Sequence, residues 1–278
     1  MALLYGKPVA ERILSQVKER IQHAGIIPGL AVVLVGDYVE SHKYVALKEE
    51  RAQEAGICFE KLSFPKTVAS QGICDVIRGL NERQDIHGII VQLPLPDGFP
   101  TDEIIAEIDP KKDTDGFHPK TLERFLSGDV TACPVFPRAM VELIRETGIL
   151  FHGEKAIAVV NSDLMGKVMA HALSLEGLES GYVLSSAGRE VIAEKTKSAR
   201  VIVTACGIPD LLTAEMLSPD AIVIDGGNVH VDGKVRGDVS REEVENHVAF
   251  LSPVPGGVGP VTVATLLARV TDAAIRKK

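Results

Sequence analysis

The stretch that decides the fold runs from Leu30 to Lys48, LAVVLVGDYVESHKYVALK. Its first six residues are all apolar, which is typical of a buried strand in a parallel sheet. Gly36 and Asp37 interrupt this run, and a polar, alanine-rich segment then continues as far as Gly56. The pattern therefore predicts a strand, a turn and a helix that stops at Gly56.

Three chemically useful side chains share one face of that predicted helix. Ser41, Tyr44 and Lys48 are spaced at i, i+3 and i+7, next to an apolar stripe of Val45, Ala52 and Ala55. Open α/β sheets bind ligands just beyond the carboxyl ends of their strands, which is where this face would lie. From this stretch alone, an ordinary solvated helix face remains the better interpretation.

The rest of the chain continues the alternation of strands and helices. Strands are predicted over 57–62, 86–93, 156–160, 181–185, 201–205 and 221–224, and helices over 9–24, 70–82, 101–108, 138–147, 165–175, 190–198 and 262–276. This alternation predicts an α/β protein with parallel sheets and two domains. We place the domains at 1–134 and 135–261, the second Rossmann-like, and expect the helix over 262–278 to return to the first domain.

Composition excludes several classes of protein. The 278 residues are 45% hydrophobic and 24% charged, as in soluble globular proteins, and the net charge of −8 disfavours a nucleic-acid partner. The sequence contains no run of about 18 apolar residues, so we expect no membrane span, and the N-terminus lacks the pattern of a secretory signal. Four scattered cysteines without ligand spacing indicate free thiols in a reducing cytoplasm and predict no metal site.

Three further motifs favour a functional site, and not a plain solvated helix face, at Tyr44 and Lys48. They are GIIVQLPLP (88–96), DPKKDTDGFHP (109–119) and SPVPGGVGPVT (252–262). The last is too dense in glycine and proline for regular structure, and its prolines are too stiff for a plain linker, so we expect bare backbone against a ligand between the domains. With SHKYVALK (41–48), this ordered set resembles the bifunctional methylenetetrahydrofolate dehydrogenase/methenyltetrahydrofolate cyclohydrolase (FolD) family along nearly the whole chain.

The resemblance implies a specific chemistry. Methylenetetrahydrofolate would give a hydride to NADP, and the methenyl product would be hydrolysed to 10-formyltetrahydrofolate. By the same resemblance the catalytic residues are Lys48 as general acid/base, Gln92 holding its amine, Tyr44 stacking on the folate and Asp115 binding the pterin. For Asp115 alone, an Asx turn that stabilises its own loop is the simpler interpretation. The implied substrate-binding residues are Tyr44, Ser41, Gln92, Leu93, Asp115, Pro255, Gly256, Gly257 and Thr262.

The nucleotide site departs most from the family. The turn over 161–166, NSDLMG, lacks the usual Gly-Arg of GRSxxVGxP, and only Ser162 and Gly166 match. An ordinary strand–helix turn explains it about as well, although a helix N-terminus still favours a phosphate. No acid follows the next predicted strand, and Arg189 lies where a 2′-phosphate would bind, which favours NADP and leaves NAD open. The candidate cofactor-binding residues are Asn161, Ser162, Gly166, Ser185, Ser186, Arg189 and Asn228.

Two alternatives to the bifunctional enzyme remain at this point. One is a cyclohydrolase whose nucleotide site is lost or weakened, motivated by the altered turn. The other is a non-catalytic folate-binding protein, motivated by Val135 and Phe136, which replace a Cys-Thr pair of the family. The resemblance also implies a homodimer.

Overall fold

The computed structural model describes residues 2–231 and 233–277. The helices are α1 (Gly6–Ala24), α2 (Val39–Ala55), α3 (Ser70–Glu82), α4 (Thr101–Ala106), α5 (Pro119–Leu126), α6 (Val135–Arg145), α7 (Asp163–Ser174), α8 (Arg189–Lys197), α9 (Arg241–Val244) and α10 (Val258–Lys277). The strands are β1 (Ala2–Leu3), β2 (Gly29–Val35), β3 (Cys58–Phe64), β4 (Gly88–Val91), β5 (Lys155–Val160), β6 (Glu179–Leu184), β7 (Val201–Ala205), β8 (Ile222–Asp225), β9 (Val229–Val231), β10 (Lys234–Arg236) and β11 (Phe250–Ser252). This is the predicted α/β architecture with parallel sheets.

The chain divides into two compact units. The first unit consists of Glu11–Val135 and the residues from Val263 onward, and the second consists of the residues up to Ala10 and Phe136–Thr262. The sequence predicts the first ten residues as part of the first domain. They group with the second unit because β1 pairs with β11, Ala2 opposite Phe250 and Leu3 opposite Leu251.

A three-stranded parallel sheet in the order β3-β2-β4 forms the centre of the first unit. Every residue of β2 is buried, as its uninterrupted apolar sequence predicts. One core cluster, around Leu30, Val32 and Leu34, packs against α1, α2 and α10. The other, around Ala31, Val33 and Val35, packs against α3. Helix α2 ends at Gly56, whose φ of 83° is the left-handed conformation that glycine adopts readily.

The last helix returns to the first unit, as predicted, and packs there against α1. Val17 and Ile21 of α1 share a core cluster with Leu267 and Val270 of α10. Helix α10 starts at Val258, earlier than the predicted residue 262, because Pro260 falls in its first turn, where proline costs no hydrogen bond. By length and composition α10 is the one described helix that could cross a membrane, yet 61% of its apolar window is buried inside the protein.

The described part of the second unit contains a six-stranded parallel sheet in the order β1-β11-β8-β7-β5-β6 and a separate β9–β10 hairpin. Its core lies around Val159, Ile202 and Val223. Several elements differ from the sequence prediction, which does not include β1, β9, β10, β11 or α9. Helix α6 begins at Val135, three residues earlier than predicted, and α5, in the first unit, lies outside the predicted elements. Pro119 at the first position of α5 and the His118 cap are the local signals for that helix.

Candidate active site

The first candidate site lies where the strand order of the first unit reverses. The chain passes from β2 to β3 on one side and returns to β4 on the other, which leaves a crevice beyond the carboxyl ends of β2 and β4. Gln92 follows β4 directly, and its backbone N–H donates to Val33 O at 2.8 Å, which fixes it beside β2. Helix α2 follows β2 and carries Lys48.

Lys48 and Gln92 meet in this crevice. The Lys48 Nζ donates to Gln92 Oε1 at 2.8 Å, and Gln92 Nε2 donates to Leu93 O at 2.7 Å. The second bond orients the amide, so that its oxygen faces the amine. Burial lowers the pKa of Lys48, and the nearby Asp115 charge raises it in part. A lysine whose pKa is lowered towards neutrality can both donate and accept a proton.

Asp115 belongs to the same electrostatic group. Burial raises its pKa; Lys48 lowers it, Asp113 raises it and Arg269 lowers it. The loop-stabilising role, which the sequence pattern also allows for Asp115, belongs to Asp113. Asp113 Oδ1 accepts from the Gly116 N–H at 2.9 Å, and its Oδ2 accepts from the His118 N–H at 3.0 Å. The two Asp113 oxygens thus hold the loop in which Asp115 lies.

Arg269 is a residue of this site that sequence reasoning missed. It projects from α10, and its guanidinium donates to the carbonyls of Cys133 and Asp113, the latter at 3.4 Å. Burial lowers its pKa, and the charges of Asp113 and Asp115 raise it. The one charged residue in the stretch ATLLARV (264–270), an arginine, was the available signal.

The other predicted substrate residues are divided between the units. Ser41 is buried and Tyr44 is half-buried on the same helix face as Lys48. Pro255, Gly256, Gly257 and Thr262 lie in the second unit, around the start of α10. There the Gly6 N–H donates to Gly256 O at 2.8 Å, and Gly6 lies so near that an added Cβ would be 1.9 Å from Gly257 O. Thr262 Oγ1 donates to Val258 O within the helix.

The second candidate site is the switch point of the six-stranded sheet, between β5 and β7. Asn161 follows β5, and its Nδ2 donates to the carbonyl of Cys206, which follows β7, at 2.6 Å. Ser185 Oγ, after β6, donates to Asn161 Oδ1 at 2.7 Å. Two predicted cofactor residues, Asn161 and Ser185, are therefore linked across three strand ends.

The turn into α7 shows why Ser162 and Gly166 are present. Ser162 is the N-cap, and its Oγ accepts from the Met165 N–H at 3.3 Å. A Cβ on Gly166 would lie 2.3 Å from the Tyr182 ring, so only glycine fits below that ring. The Tyr182 hydroxyl donates to Asp163 Oδ1 at 3.0 Å, and this bond raises the pKa of Tyr182.

Ser186, Arg189 and Asn228 all lie on the exposed surface of the second unit. Arg189 Nη2 donates to Thr213 Oγ1 at 2.9 Å and forms an ion pair with Glu215 Oε1 at 3.3 Å. Its guanidinium is thus shared with an acid. Among residues 2–231 and 233–277, no group of three or more His, Cys, Asp or Glu side chains is arranged to hold a metal ion.

Comparison with known proteins matches both units. Residues 4–115 match the tetrahydrofolate dehydrogenase/cyclohydrolase catalytic domain, and residues 134–278 match the NAD(P)-binding domain of the same family. The bifunctional protein FolD of Methanospirillum hungatei is 39% identical over 98% of this chain and 97% of its own. FolD of Nitratiruptor is also 39% identical, over 100% of this chain and 99% of its own.

Solved structures agree with these sequence matches. The crystal structure of FolD from Campylobacter jejuni superposes with a TM-score of 0.93 at 33% identity, covering 100% of both chains. The Trypanosoma brucei methylenetetrahydrofolate dehydrogenase-cyclohydrolase, complexed with NADP and an inhibitor, superposes with a TM-score of 0.92 at 29% identity, covering 99% of this chain and 97% of its own.

Proposed function

Because the chain belongs to the tetrahydrofolate dehydrogenase/cyclohydrolase family, we propose that it is bifunctional. It oxidises 5,10-methylenetetrahydrofolate to 5,10-methenyltetrahydrofolate with NADP, and it hydrolyses that product to 10-formyltetrahydrofolate. The observation that carries the proposal is the Lys48–Gln92 pair at the carboxyl edge of the first sheet. A partly desolvated amine held by an amide suits hydrolysis of a cationic one-carbon bridge.

Lys48 is the general acid/base of the hydrolysis. Water adds to the methenyl carbon, and the Lys48 amine takes the proton that the water loses. The carbon–N5 bond then breaks as Lys48 returns its proton to the leaving N5, which regenerates the amine. The added hydroxyl loses its remaining proton to solvent as it becomes the formyl C=O, so hydrolysis of the methenyl cation releases one proton overall. Burial supports this cycle because it lowers the pKa of Lys48 and so maintains a fraction of neutral amine. Gln92 keeps the amine in one position through its Oε1.

The remaining residues bind and orient the substrate. Tyr44 offers a flat ring for the pterin, one helical turn from Lys48. Asp115 accepts hydrogen bonds from the amino and N–H groups of the pterin. Burial raises its pKa, and the neighbouring Lys48 and Arg269 lower it in part, which favours the carboxylate form. Ser41, Leu93, Pro255, Gly256, Gly257 and Thr262 complete the proposed set.

The second unit provides the nucleotide site. The β5–β7 switch point and the capped N-terminus of α7 fit a dinucleotide, because backbone N–H groups there favour phosphate. NADP supplies the hydride acceptor, and this chain's residues only bind and orient it. We assign this binding to Asn161, Ser162, Gly166, Ser185, Ser186, Arg189 and Asn228. We further propose a homodimer in the cytoplasm; the four free cysteines support a reducing compartment.

A cyclohydrolase with weak nucleotide binding is the second candidate. Two contacts favour it: Arg189 is paired with Glu215, and Asp163 places a carboxylate in the first turn of α7. Both reduce the positive potential available to a phosphate.

Parallel assays of the two reactions test these functions. Methenyltetrahydrofolate formation is measured with NADP and with NAD, and hydrolysis is measured separately on the methenyl substrate. Lys48→Met should lower hydrolysis by about a hundredfold or more, the usual contribution of general acid–base catalysis. Lys43→Met on the exposed face of α2 is the matched control. Hydrolysis without any NADP- or NAD-dependent oxidation would establish the second candidate, and a folded Lys48→Met variant with normal hydrolysis would exclude Lys48 from the mechanism.

A further inference from the structure

A buried pair of carboxylates lies against the loop that follows β7 in the second unit. None of the roles proposed above involves this pair. Asp225 ends β8 and Asp238 follows β10; their exposed fractions are 3% and 0%. Asp225 Oδ1 accepts from the Asp238 N–H at 2.9 Å and from the Gly227 N–H at 2.9 Å, while its Oδ2 accepts from the Val239 N–H at 3.1 Å. The two acids are thus joined through backbone and not through a shared cation.

Asp238 in turn holds the loop that follows β7. Its Oδ2 accepts from the Cys206 N–H at 2.8 Å, and its Oδ1 accepts from the Ile208 N–H at 2.8 Å. Gly207 between them has φ of 65°, a conformation that turns neighbouring N–H groups towards one anion. The Asp238 carboxylate therefore occupies a backbone nest and determines the path of this loop.

The same loop reaches the switch point. Cys206 donates its N–H to Asp238, and its carbonyl accepts from Asn161 Nδ2. Asn161 Oδ1 in turn accepts from Ser185 Oγ. Any displacement of Cys206 would thus move Asn161 at the end of β5. Asp238, which is distant from both β5 and β7 in sequence, therefore determines the geometry of the crevice between these strands.

Two glycines, Gly227 and Gly237, pack closely against the pair. A Cβ on Gly227 would lie 2.3 Å from the Asp238 nitrogen and 2.5 Å from its Oδ1. A Cβ on Gly237 would lie 1.9 Å from Asp225 Oδ2. Gly227 immediately precedes Asn228, so the segment after β8 is held in the same way as the segment after β7.

We propose that Asp238 is a positioning residue for the nicotinamide nucleotide: by holding the backbone of Cys206 and Ile208, it pre-organises the crevice at the carboxyl ends of β5 and β7. This inference rests on the proposed dehydrogenase function. It assigns Asp238 no contact with the nucleotide. Its effect is confined to the reaction that uses NADP.

Asparagine at position 238 tests the assignment, because it keeps the size of the side chain and replaces one acceptor oxygen with an NH₂ group. That group would face a backbone N–H, so one of the two loop bonds is lost. Loss of a buried bond to a charged acceptor corresponds to roughly tenfold or more in the population of the correct loop. Asp238→Asn should therefore raise the KM for NADP about tenfold, with hydrolysis of methenyltetrahydrofolate unchanged. Asp220→Asn, an exposed acid of the same unit, is the control.

Hydrogen exchange separates positioning from a general loss of structure. In Asp238→Asn the amides of residues 206–208 should exchange faster, while those of β5 and β7 keep their wild-type protection. If the asparagine variant fails to fold, Asp238→Glu, which retains the charge but displaces it by one methylene, should fold and show the same rise in KM. A KM within twofold of the wild type in a folded variant overturns the inference, and so does unfolding of the second unit in both variants. A wild-type protein without NADP-dependent oxidation would instead refute the proposed dehydrogenase function.

Discussion

Removal of the Arg269 guanidinium should destabilise the first unit and change the pH dependence of its chemistry. Arg269→Met keeps the apolar stem and deletes the charge that lies against the carbonyls of Cys133 and Asp113. A hydrogen bond from a charged donor contributes about 1.5–3 kcal/mol. The bond to Asp113 O, at 3.4 Å, is too long to contribute fully. The loss therefore consists of one full hydrogen bond, to Cys133 O, and of the favourable interaction between the guanidinium and the carboxylates of Asp113 and Asp115. The expected loss in the free energy of unfolding is on the order of 3 kcal/mol.

Urea unfolding followed by circular dichroism measures this loss. With a slope of about 2–3 kcal/mol per molar urea, the midpoint should fall by roughly 1–1.5 M. Arg276→Met is the control, because Arg276 lies on the same helix and is exposed. A shift in the midpoint no larger than that of the control would show that Arg269 does not hold the 113–115 loop.

The sign of the pH effect follows from Asp115. Its pKa is raised by burial, and Arg269 is one of the two cations, with Lys48, that oppose this rise. Without Arg269 the pKa of Asp115 increases further, so the acidic limb of the hydrolysis profile should move to higher pH. A carboxyl whose folded pKa is raised favours the folded state below its unfolded pKa, and this contribution is lost as pH increases through the folded value. The destabilisation by Arg269→Met should therefore be smallest at acidic pH and grow towards neutral pH; a pH-independent difference would contradict the coupling.

Two further substitutions test single contacts. Lys112→Met removes a buried ammonium that donates to Leu80 O, Asn81 O and Arg83 O at 2.9, 2.6 and 2.6 Å. It should cost about 3–5 kcal/mol in urea unfolding, because three carbonyls at and just after the end of α3 lose a charged donor, whereas the exposed Lys111→Met should cost almost nothing. Glu215→Gln frees Arg189 from its ion pair. It should lower the KM for NADP by about two- to fivefold and leave the KM for NAD unchanged, and equal changes for both would show that Arg189 does not meet the 2′-phosphate.

Elements with strong local periodicity were predictable from the sequence. Helix α3 and strand β7 have the bounds that the hydrophobic pattern indicates, Ser70–Glu82 and Val201–Ala205. The stop at Gly56 was equally predictable, because a glycine in the left-handed conformation is a local signal. These features depend on residues within one or two turns of one another, so no knowledge of the tertiary structure is needed to find them.

Features that depend on distant residues were not predictable in the same way. The grouping of the first ten residues with the second unit could not be predicted, because β1 is only two residues long and pairs with β11, about 250 positions away in sequence. The loop-holding role could not be divided between Asp113 and Asp115 by spacing alone, since both acids precede Gly116 at turn-forming distances. Arg269 acts on that loop from α10, so its role appears only when helix and loop are brought together.

The turn after β5 shows how a departure from the family pattern is to be judged. Its missing Gly-Arg suggested a degraded nucleotide site, yet Asn161 occupies the same strand end and is held through Ser185 and Cys206. A bridge of side chains holds this strand end, but the turn lacks the guanidinium that an arginine would offer to a phosphate. Such a site keeps its shape and loses electrostatic attraction, so the departure should weaken binding of the phosphates while still orienting the nicotinamide.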